Sequence, residues 1–303
     1  MILTMPCVSL VVWVGIAMAP VAAANVRLPD AAQLARAVRS KDDVEIERVA
    51  SRLGARKLLR ITENGKREER LAALRGLGLV EDGWAVLPEI ARQLGDPDLE
   101  VGNAAARAAN QLVRALSPET IEQSEIPRDV LSRAASELLA VSRRADLKVA
   151  LRVSAIGTLA TLRGVQPIDE ALLATLLSDG ESEVRRAAAE ALGGVKSQEA
   201  PVMRALEEDV ASVASTAAAS LCRDVPVSGE KGAAFERAKR LSPKARQRLR
   251  ALAVDESAAL VDRLELLPCL RVAAQPEDQK ILDQLAKGKI ESLKRRARSL
   301  GGR

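Results

Sequence analysis

A short amphipathic phrase recurs along most of the chain, and it limits the possible folds more than any other feature. The clearest copies are Val184–Leu192 (VRRAAAEAL), Val213–Leu221 (VASTAAASL) and Leu151–Leu159 (LRVSAIGTL). Two further copies begin at residues 69 and 101, and weaker ones begin at residues 260 and 293. Most successive copies are 29 to 33 residues apart. A period of this size indicates a repeat architecture.

Each copy predicts one face of an amphipathic helix. Counting the first residue as position 0, the clearest copy is apolar at positions 0, +4, +7 and +8, which are Val184, Ala188, Ala191 and Leu192. These positions share one side of a helix, and a small residue at +4 lets a neighbouring helix approach closely. Another helix precedes each copy, and acidic turns such as Gly95-Asp96-Pro97 separate the two. One such unit cannot cover its own apolar faces, so we expect successive units to stack.

The composition agrees with thin layers of helices. Hydrophobic residues make up 48% of the 303 residues, but aromatic residues make up only 1%. A core of Ala, Leu, Val and Ile suits closely packed helices and lacks the bulk that aromatic side chains give a thick core. No sustained run alternates as a half-buried strand does. We therefore expect an all-α protein, a right-handed α-solenoid of stacked antiparallel helix pairs with about 6–8 repeats.

The repeat resembles the short HEAT-like repeats of the phycobilisome-lyase type, within the wider HEAT and armadillo-like class. The closest match runs from Asp179 through VRRAAAEAL to Gly193, and the resemblance covers roughly residues 69–301. It implies an extended surface that suits binding to another protein. In such stacks an Asp in the turn and an Arg at position +1 often form a ladder between units. Asp179 with Arg185, and Asp146 with Arg152, fit that pattern.

The first 24 residues have the features of an export signal. Val8–Ala19 is an uncharged apolar run of 12 residues, and Ala22-Ala23-Ala24 fits an A-x-A cleavage site. The run is shorter than the roughly 20 apolar residues of a membrane-spanning helix, so we expect cleavage after Ala24, with an uncleaved anchor as the alternative. Met1–Cys7 contains no Lys or Arg, which departs from the usual signal. We expect a periplasmic or secreted protein with no transmembrane span after cleavage.

The rest of the chain divides by pattern and charge. We predict an N-terminal helical cap over 25–68, a repeat core over 69–223, a loop over 224–234 and basic C-terminal helical repeats over 235–303. Residues 229–303 hold 18 basic and 10 acidic residues, whereas the rest of the chain holds 28 and 31. The positive charge is therefore concentrated at the C-terminal end.

The absence of histidine excludes several kinds of catalytic site. Ser-His-Asp and Cys-His nucleophiles cannot form, and neither can His-bound zinc or iron. Deoxyhypusine hydroxylase, an iron enzyme with HEAT-like repeats, uses His-Glu motifs, so the resemblance does not extend to that activity. We expect no catalytic residues, no cofactor and no metal, and we predict a scaffold for a protein partner. The alternative of an accessory lyase would need Cys222 as its reactive group.

Cys222 and Cys269 occupy the same position, +9, of successive copies. An oxidising compartment would allow a disulfide between them. Packed helix axes lie about 8–10 Å apart, however, whereas bonded cysteines need Cα atoms within about 7 Å. We therefore favour two buried thiols and keep the disulfide as the alternative.

Two sets of cations are candidate binding residues. The first forms a stripe for an acidic protein partner, with a purely structural ladder as the alternative: Arg75, Arg107, Arg152, Arg185 and Arg186. The second would meet anionic lipid or polymer of the envelope, with solvated helix faces as the alternative: Lys287, Lys289, Lys294, Arg295, Arg296 and Arg298. Nucleic acid is disfavoured because bases would find almost no aromatic side chain to stack on.

Overall fold

The computed structural model describes residues 28–123, 125–222, 240–273 and 275–301. The predicted export signal (1–24) and the predicted loop (224–234) lie outside these residues. Within them the chain forms 17 α-helices and no β-strand, which confirms the all-α prediction. None of these helices has the length and hydropathy needed to span a membrane.

The helices are short, and most are joined by tight turns. In chain order they are α1 (Leu28–Ser40), α2 (Asp43–Leu53), α3 (Ala55–Asn64), α4 (Arg67–Leu77), α5 (Leu87–Gln93), α6 (Leu99–Ala115), α7 (Pro118–Gln123), α8 (Arg128–Arg143), α9 (Val149–Leu162), α10 (Glu170–Thr175), α11 (Ser182–Ala191), α12 (Glu199–Glu208), α13 (Ala211–Leu221), α14 (Pro243–Val254), α15 (Leu260–Ala273), α16 (Pro276–Ala286) and α17 (Glu291–Ser299). Three 3-10 helices cover Glu81–Val86, Leu176–Ser178 and Lys196–Gln198.

The turns end and restart the helices by the chemistry expected of their residues. Asp98, Asp169 and Ser242 precede α6, α10 and α14, and each side chain accepts a hydrogen bond from a backbone N–H of the first turn. These bonds satisfy amide groups that have no partner inside the helix. Of these caps, Asp98 belongs to the acidic turn that begins with Gly95-Asp96-Pro97.

Eight helices of the described chain form what we call the continuous series, in which each member packs against the next: α1, α4, α6, α9, α11, α13, α15 and α17. The clearest sequence copies fall within this series, at α9, α11 and α13. A second set, the flanking helices, packs on it, and each flanking helix contacts the series member that follows it in the chain: α3, α5, α8, α10, α12, α14 and α16.

Small side chains let the series pack closely. Ala188 and Ala217, both at position +4 of their copies, are fully buried. Gly102 shows how little space remains, because a Cβ atom there would lie 2.9 Å from the carbonyl oxygen of Leu94 and 3.0 Å from Cδ1 of Leu151. Even a methyl group would thus push α6 away from α9.

The buried apolar side chains form two clusters that meet at α9. Leu159 belongs to the N-terminal cluster and Ile156 to the C-terminal one. On the flanking side, a groove of about 360 Å³ lies between α8 and α10, with Leu139, Leu159 and Leu172 in its lining. At α9 the continuous series is therefore uninterrupted, whereas the flanking helices α8 and α10 are separated by a groove.

The preference for two free thiols was wrong, because Cys222 and Cys269 form a disulfide. Their Cα atoms are 5.5 Å apart, and both residues are buried. The expectation failed because it compared an axis separation with a Cα separation. Cα atoms stand about 2.3 Å from each axis, so facing residues of helices about 10 Å apart come within about 5–6 Å. The bonded Cys222 is not a free thiol, so the nucleophile that an accessory lyase would need is not present in this structure.

Removal of this bond should destabilise the C-terminal helices. A closed loop of 47 residues predicts a loss of about 4 kcal/mol in the free energy of unfolding for the Cys222→Ala/Cys269→Ala double variant. Urea unfolding measures this loss, and reduction of the unfolded parent should add the mass of two hydrogens. An unchanged mass on reduction, or a double variant as stable as the parent, would contradict the assignment.

Candidate binding surface

A groove on the outer side of the continuous series contains two of the predicted arginines. Arg75 lies on α4 and Arg107 on α6, both at position +6 of their copies. The groove has a volume of about 530 Å³ and lies between α1, α4 and α6. Apolar side chains form part of its wall, and polar side chains form the rest: Val38, Leu71, Leu74, Ala104 and Ala108, with Arg75, Glu100, Asn103, Arg107 and Gln111.

We call this groove the series groove. Only some of its charged side chains make ion pairs. Arg107 is exposed and makes no ion pair with any described residue. Arg75 contacts Asp43, but that carboxylate is 74% exposed and the pair is open to solvent. Glu100 lies 2.8 Å from Arg67. The groove therefore offers a cation and amide groups beside an apolar wall, which suits an acidic peptide with apolar side chains.

The predicted stripe divides into two groups. Arg186 on α11 is exposed, like Arg75 and Arg107, and makes no ion pair within the described chain. Arg152 is buried and Arg185 is mostly buried, and both serve contacts between units. Position +1 of a copy points toward the turns, whereas positions +2 and +6 point outward, which explains the division. The sequence reasoning missed Asn103, which lies at position +2, and Gln111, which lies at +10, about one helical turn beyond +6.

Three arginines of the series join one unit to the next, and we call these contacts the arginine ladder. Arg70 on α4 pairs with Asp96, Arg152 on α9 with Asp179, and Arg185 on α11 with Asp209. Each aspartate lies in the turn before the next series helix. The Arg185 pair is bidentate, with N–O distances of 2.7 and 2.8 Å. Two parallel hydrogen bonds fix both position and angle.

Each ladder arginine also donates a hydrogen bond to a backbone carbonyl of the segment that precedes its helix. That segment is the end of the flanking helix for Arg70 and Arg152, and the preceding turn for Arg185. Arg70 donates to Thr62 at 2.8 Å, Arg152 to Ser142 at 2.9 Å and Arg185 to Asp179 at 2.8 Å. The last carbonyls of a helix have no partner within it, so these bonds remove a cost of burial. One side chain thus links a flanking helix, a series helix and the next unit.

The pairing within the ladder differs from the predicted one. The carboxylate of Asp179 pairs with Arg152 of the preceding unit, while Arg185 reaches only the backbone oxygen of Asp179. Asp146 pairs with Arg144 at 2.6 Å instead of with Arg152. The pairing differs because the side chain of an arginine at position +1 extends toward the turn before the next series helix, and not toward the turn before its own helix. The ladder between units is present, but each arginine pairs with the aspartate of the next unit and not with the aspartate in the turn before its own helix.

Electrostatics keeps the ladder carboxylates ionised. Burial alone would raise the pKa of Asp179 and of Asp209. Three effects together outweigh burial: the hydrogen bonds from Arg152 and Arg185, the backbone hydrogen bonds from Glu181 and Val210, and the nearby positive charge. The pKa of each carboxyl group therefore lies below its ordinary value. Both aspartates therefore stabilise the fold through their charged form.

The C-terminal cations form a second surface, which we call the cationic face: Lys287, Lys289, Arg295, Arg296 and Arg298. All five are exposed, and none makes an ion pair with a described residue. The sixth predicted cation, Lys294, is partly buried and lies 3.5 Å from Glu291. Since Leu293 and Ala297 are buried, the arginines of α17 point away from the helices beneath. The cationic face is thus available to an anionic surface.

Another groove follows the flanking helices. It has a volume of about 750 Å³ and lies between α10 and α12, with Arg204, Glu208 and Arg185 in its lining. Among the described residues, no three side chains of His, Cys, Asp and Glu gather in a group that could hold a metal ion. Glu208 is engaged by Lys244 at 2.8 Å, and Arg185 is engaged in the ladder. Arg204 is exposed and makes no ion pair with a described residue, so this groove also holds one unengaged cation.

Loss of one ladder arginine should be costly. Arg152→Ala leaves Asp179 without its partner in a site where the arginine side chain is only 3% exposed. We expect the free energy of unfolding to fall by about 3 kcal/mol, as for other broken buried pairs. Arg133→Ala is the control, because Arg133 and Asp129 are both well exposed and 3.8 Å apart. Equal stability of the two variants in urea unfolding would count against the ladder.

The ladder should also make the free energy of unfolding depend on pH in the acidic range. Because the folded-state pKa values of Asp179 and Asp209 are lowered, their contribution is complete above the unfolded pKa of about 3.9. It is lost as pH falls through the folded-state values. Urea unfolding between pH 7 and pH 2 should show this fall, and Asp209→Asn should show a smaller one. A variant with the same pH slope as the parent would contradict the assignment.

The sequence was also compared with known proteins. No protein-family model matches the chain, and no curated protein matches it.

Proposed function

We propose that this protein is a non-enzymatic scaffold, a HEAT-like α-solenoid that binds a protein partner in the cell envelope. The continuous series supports a solenoid, because each helix in it contacts the one before and the one after. The ladder supports the same arrangement, since it links neighbouring units in order. The period of the sequence copies would correspond to about 6–8 units. An extended stack of this kind offers long surfaces for recognition.

The observation that carries the proposal is the series groove. It combines an exposed cation, Arg107, with the amides of Asn103 and Gln111 and an apolar wall. A peptide with an acidic and an apolar side chain would satisfy all three. Its carboxylate would meet Arg107 in a charge-assisted hydrogen bond, which is stronger than a bond between neutral groups. Arg186 extends the unpaired positive charge along the outer side of the series.

Two features support a place outside the cytoplasm. The apolar run and small residues of 1–24 have the pattern of an export signal. The Cys222–Cys269 disulfide is of a kind that persists in oxidising compartments and is rare in the cytosol. We therefore propose that the protein is periplasmic or secreted.

Site-specific photo-crosslinking in the producing cell tests the scaffold proposal. A photoreactive residue replaces Asn103 or Gln111 in the series groove, or Arg56 or Lys57 on the exposed side of α3 as a matched control. We expect a discrete crosslinked protein from the groove positions only. Arg107→Glu should weaken that crosslink at least tenfold, because it reverses the charge that meets the partner's carboxylate.

The matched variant for this charge reversal is Arg60→Glu, an exposed and unpaired position on α3. It should leave the crosslink unchanged. Absence of a crosslink at both groove positions, or equal yields at groove and control positions, would refute the series groove as the binding site.

A second candidate function is supported by the cationic face. Five exposed cations without an ion pair within the described chain would attract an anionic envelope surface, either lipid or polymer. Only one acidic residue, Glu291, lies between Lys287 and Gly301. On this account the C-terminal end docks the protein on the surface while the series groove stays free.

A further inference from the structure

Exposed apolar side chains are concentrated at the starts of the series helices. Six large apolar side chains are exposed among the described residues, and only Val44 lies elsewhere. The other five are at the N-cap or in the first turn of α6, α13, α15 and α17: Leu99, Val210, Leu260, Val261 and Ile290. Their common place at the starts of four series helices, three of them consecutive in the series, shows that the exposure follows the architecture.

The last three of these helix starts lie on one edge. The disulfide joins Cys222, just after the end of α13, to Cys269 near the end of α15, so these two packed helices run in the same direction. α16 packs against both α15 and α17, and only a few residues separate these three helices in the sequence. The chain therefore reverses twice, and α17 runs with α15 as well. Val210, Leu260, Val261 and Ile290 therefore form one edge, which we call the apolar edge.

The cationic face adjoins the apolar edge. Lys287 and Lys289 lie in the turn that leads directly to Ile290. The arginines of α17 begin five residues beyond Ile290, which is about 7.5 Å along a helix. Positive charge and exposed apolar side chains thus belong to the same end of the molecule.

Negative charge at this edge is mostly engaged. Asp209 is held by Arg185, Glu208 lies 2.8 Å from Lys244, and Glu291 lies 3.5 Å from Lys294. Glu256 is the exposed carboxylate there without an ion pair within the described residues. Asp255 beside it accepts hydrogen bonds from Ser257 and also makes no ion pair within the described residues. Five unpaired cations thus face two unpaired carboxylates, so the surface remains positive.

We propose that the apolar edge and the cationic face dock together on the headgroup region of an anionic lipid bilayer. This rests on the second candidate function and names the bilayer as its surface. A soluble anionic polymer would use the cations but would leave the apolar side chains in water. A bilayer uses both, because cations meet anionic headgroups while apolar side chains enter the interface with the acyl chains.

Sedimentation with vesicles tests this docking. The full chain is mixed with vesicles of phosphatidylglycerol and phosphatidylcholine, or of phosphatidylcholine alone. Salt is set at about 0.1 M and about 1 M, where the Debye length is about 10 Å and 3 Å. We expect binding to the anionic vesicles only, with a measurable part that survives the higher salt. All variants share residues 1–24, so binding through that segment cannot produce a difference between them.

Charge and apolar contact are separated by two sets of variants. Arg295→Gln/Arg296→Gln/Arg298→Gln should weaken binding at the lower salt about a hundredfold, since each cation near an anionic surface contributes about fivefold. The matched control is Arg56→Gln/Lys57→Gln/Arg60→Gln, which removes three exposed and unpaired cations from α3. It should bind as the parent does.

The apolar variants are Ile290→Ser and Val261→Ser, with Val44→Ser on α2 as the control. Ser is a favoured N-cap residue, so Ile290→Ser should keep α17 folded. Each of the two edge variants should lose about tenfold of the salt-resistant binding, because several methylene groups no longer enter the interface. Val44→Ser should lose nothing.

Polyphosphate in solution separates this proposal from the broader candidate function. If polyphosphate and anionic vesicles bind with the same salt dependence, and Ile290→Ser and Val261→Ser bind as the parent does, the bilayer is refuted while attraction to anionic surfaces stands. If neither probe binds at the lower salt, both are refuted. Salt-resistant vesicle binding that the two edge variants lose supports the bilayer.

Discussion

A buried guanidinium group that reaches across two units is the contact on which the rest of this structure depends. Arg152 joins the end of α8, its own helix α9 and the turn before α11. A charge this deeply buried is tolerated only when its hydrogen bonds are complete, so the three segments must come together in one geometry. Arg70 and Arg185 repeat the device. Alanine and glycine residues let the series helices pack closely enough for each arginine to reach the aspartate of the next unit.

This way of folding leaves the outer surfaces free for binding. The apolar stripe of each helix is used against its neighbours, and the ladder uses the arginines at position +1. What remains exposed differs along the chain. The series groove, near the N-terminal end, combines Arg107 with apolar walls, whereas the C-terminal end carries the cationic face. The two buried clusters meet at α9, which separates these surfaces. A scaffold that holds a partner at one end and an envelope surface at the other would use both.

Much of the fold could be predicted from the sequence, because helical period is a local property. The copies at α9, α11 and α13 fall where the pattern placed them, and their +4 alanines are buried. The pairing of the ladder could not be predicted so well, since a sequence shows that Arg152 and Asp146 are near each other but not which carboxylate lies at the end of the side chain. The disulfide was missed through a wrong distance argument. The series groove includes Val38 of α1, which no copy of the repeat contains, so its wall could be seen only in three dimensions.

Native-state hydrogen exchange tests most directly the claim that units are stable only through their neighbours. The account predicts that amide protection is highest in the central helices α6, α9 and α11 and declines toward α1 in steps that follow the units. Arg152→Ala should lower protection first in α8 to α11. Uniform protection that disappears from all helices together, in the parent and in Arg152→Ala alike, would show a single cooperative core and contradict the account.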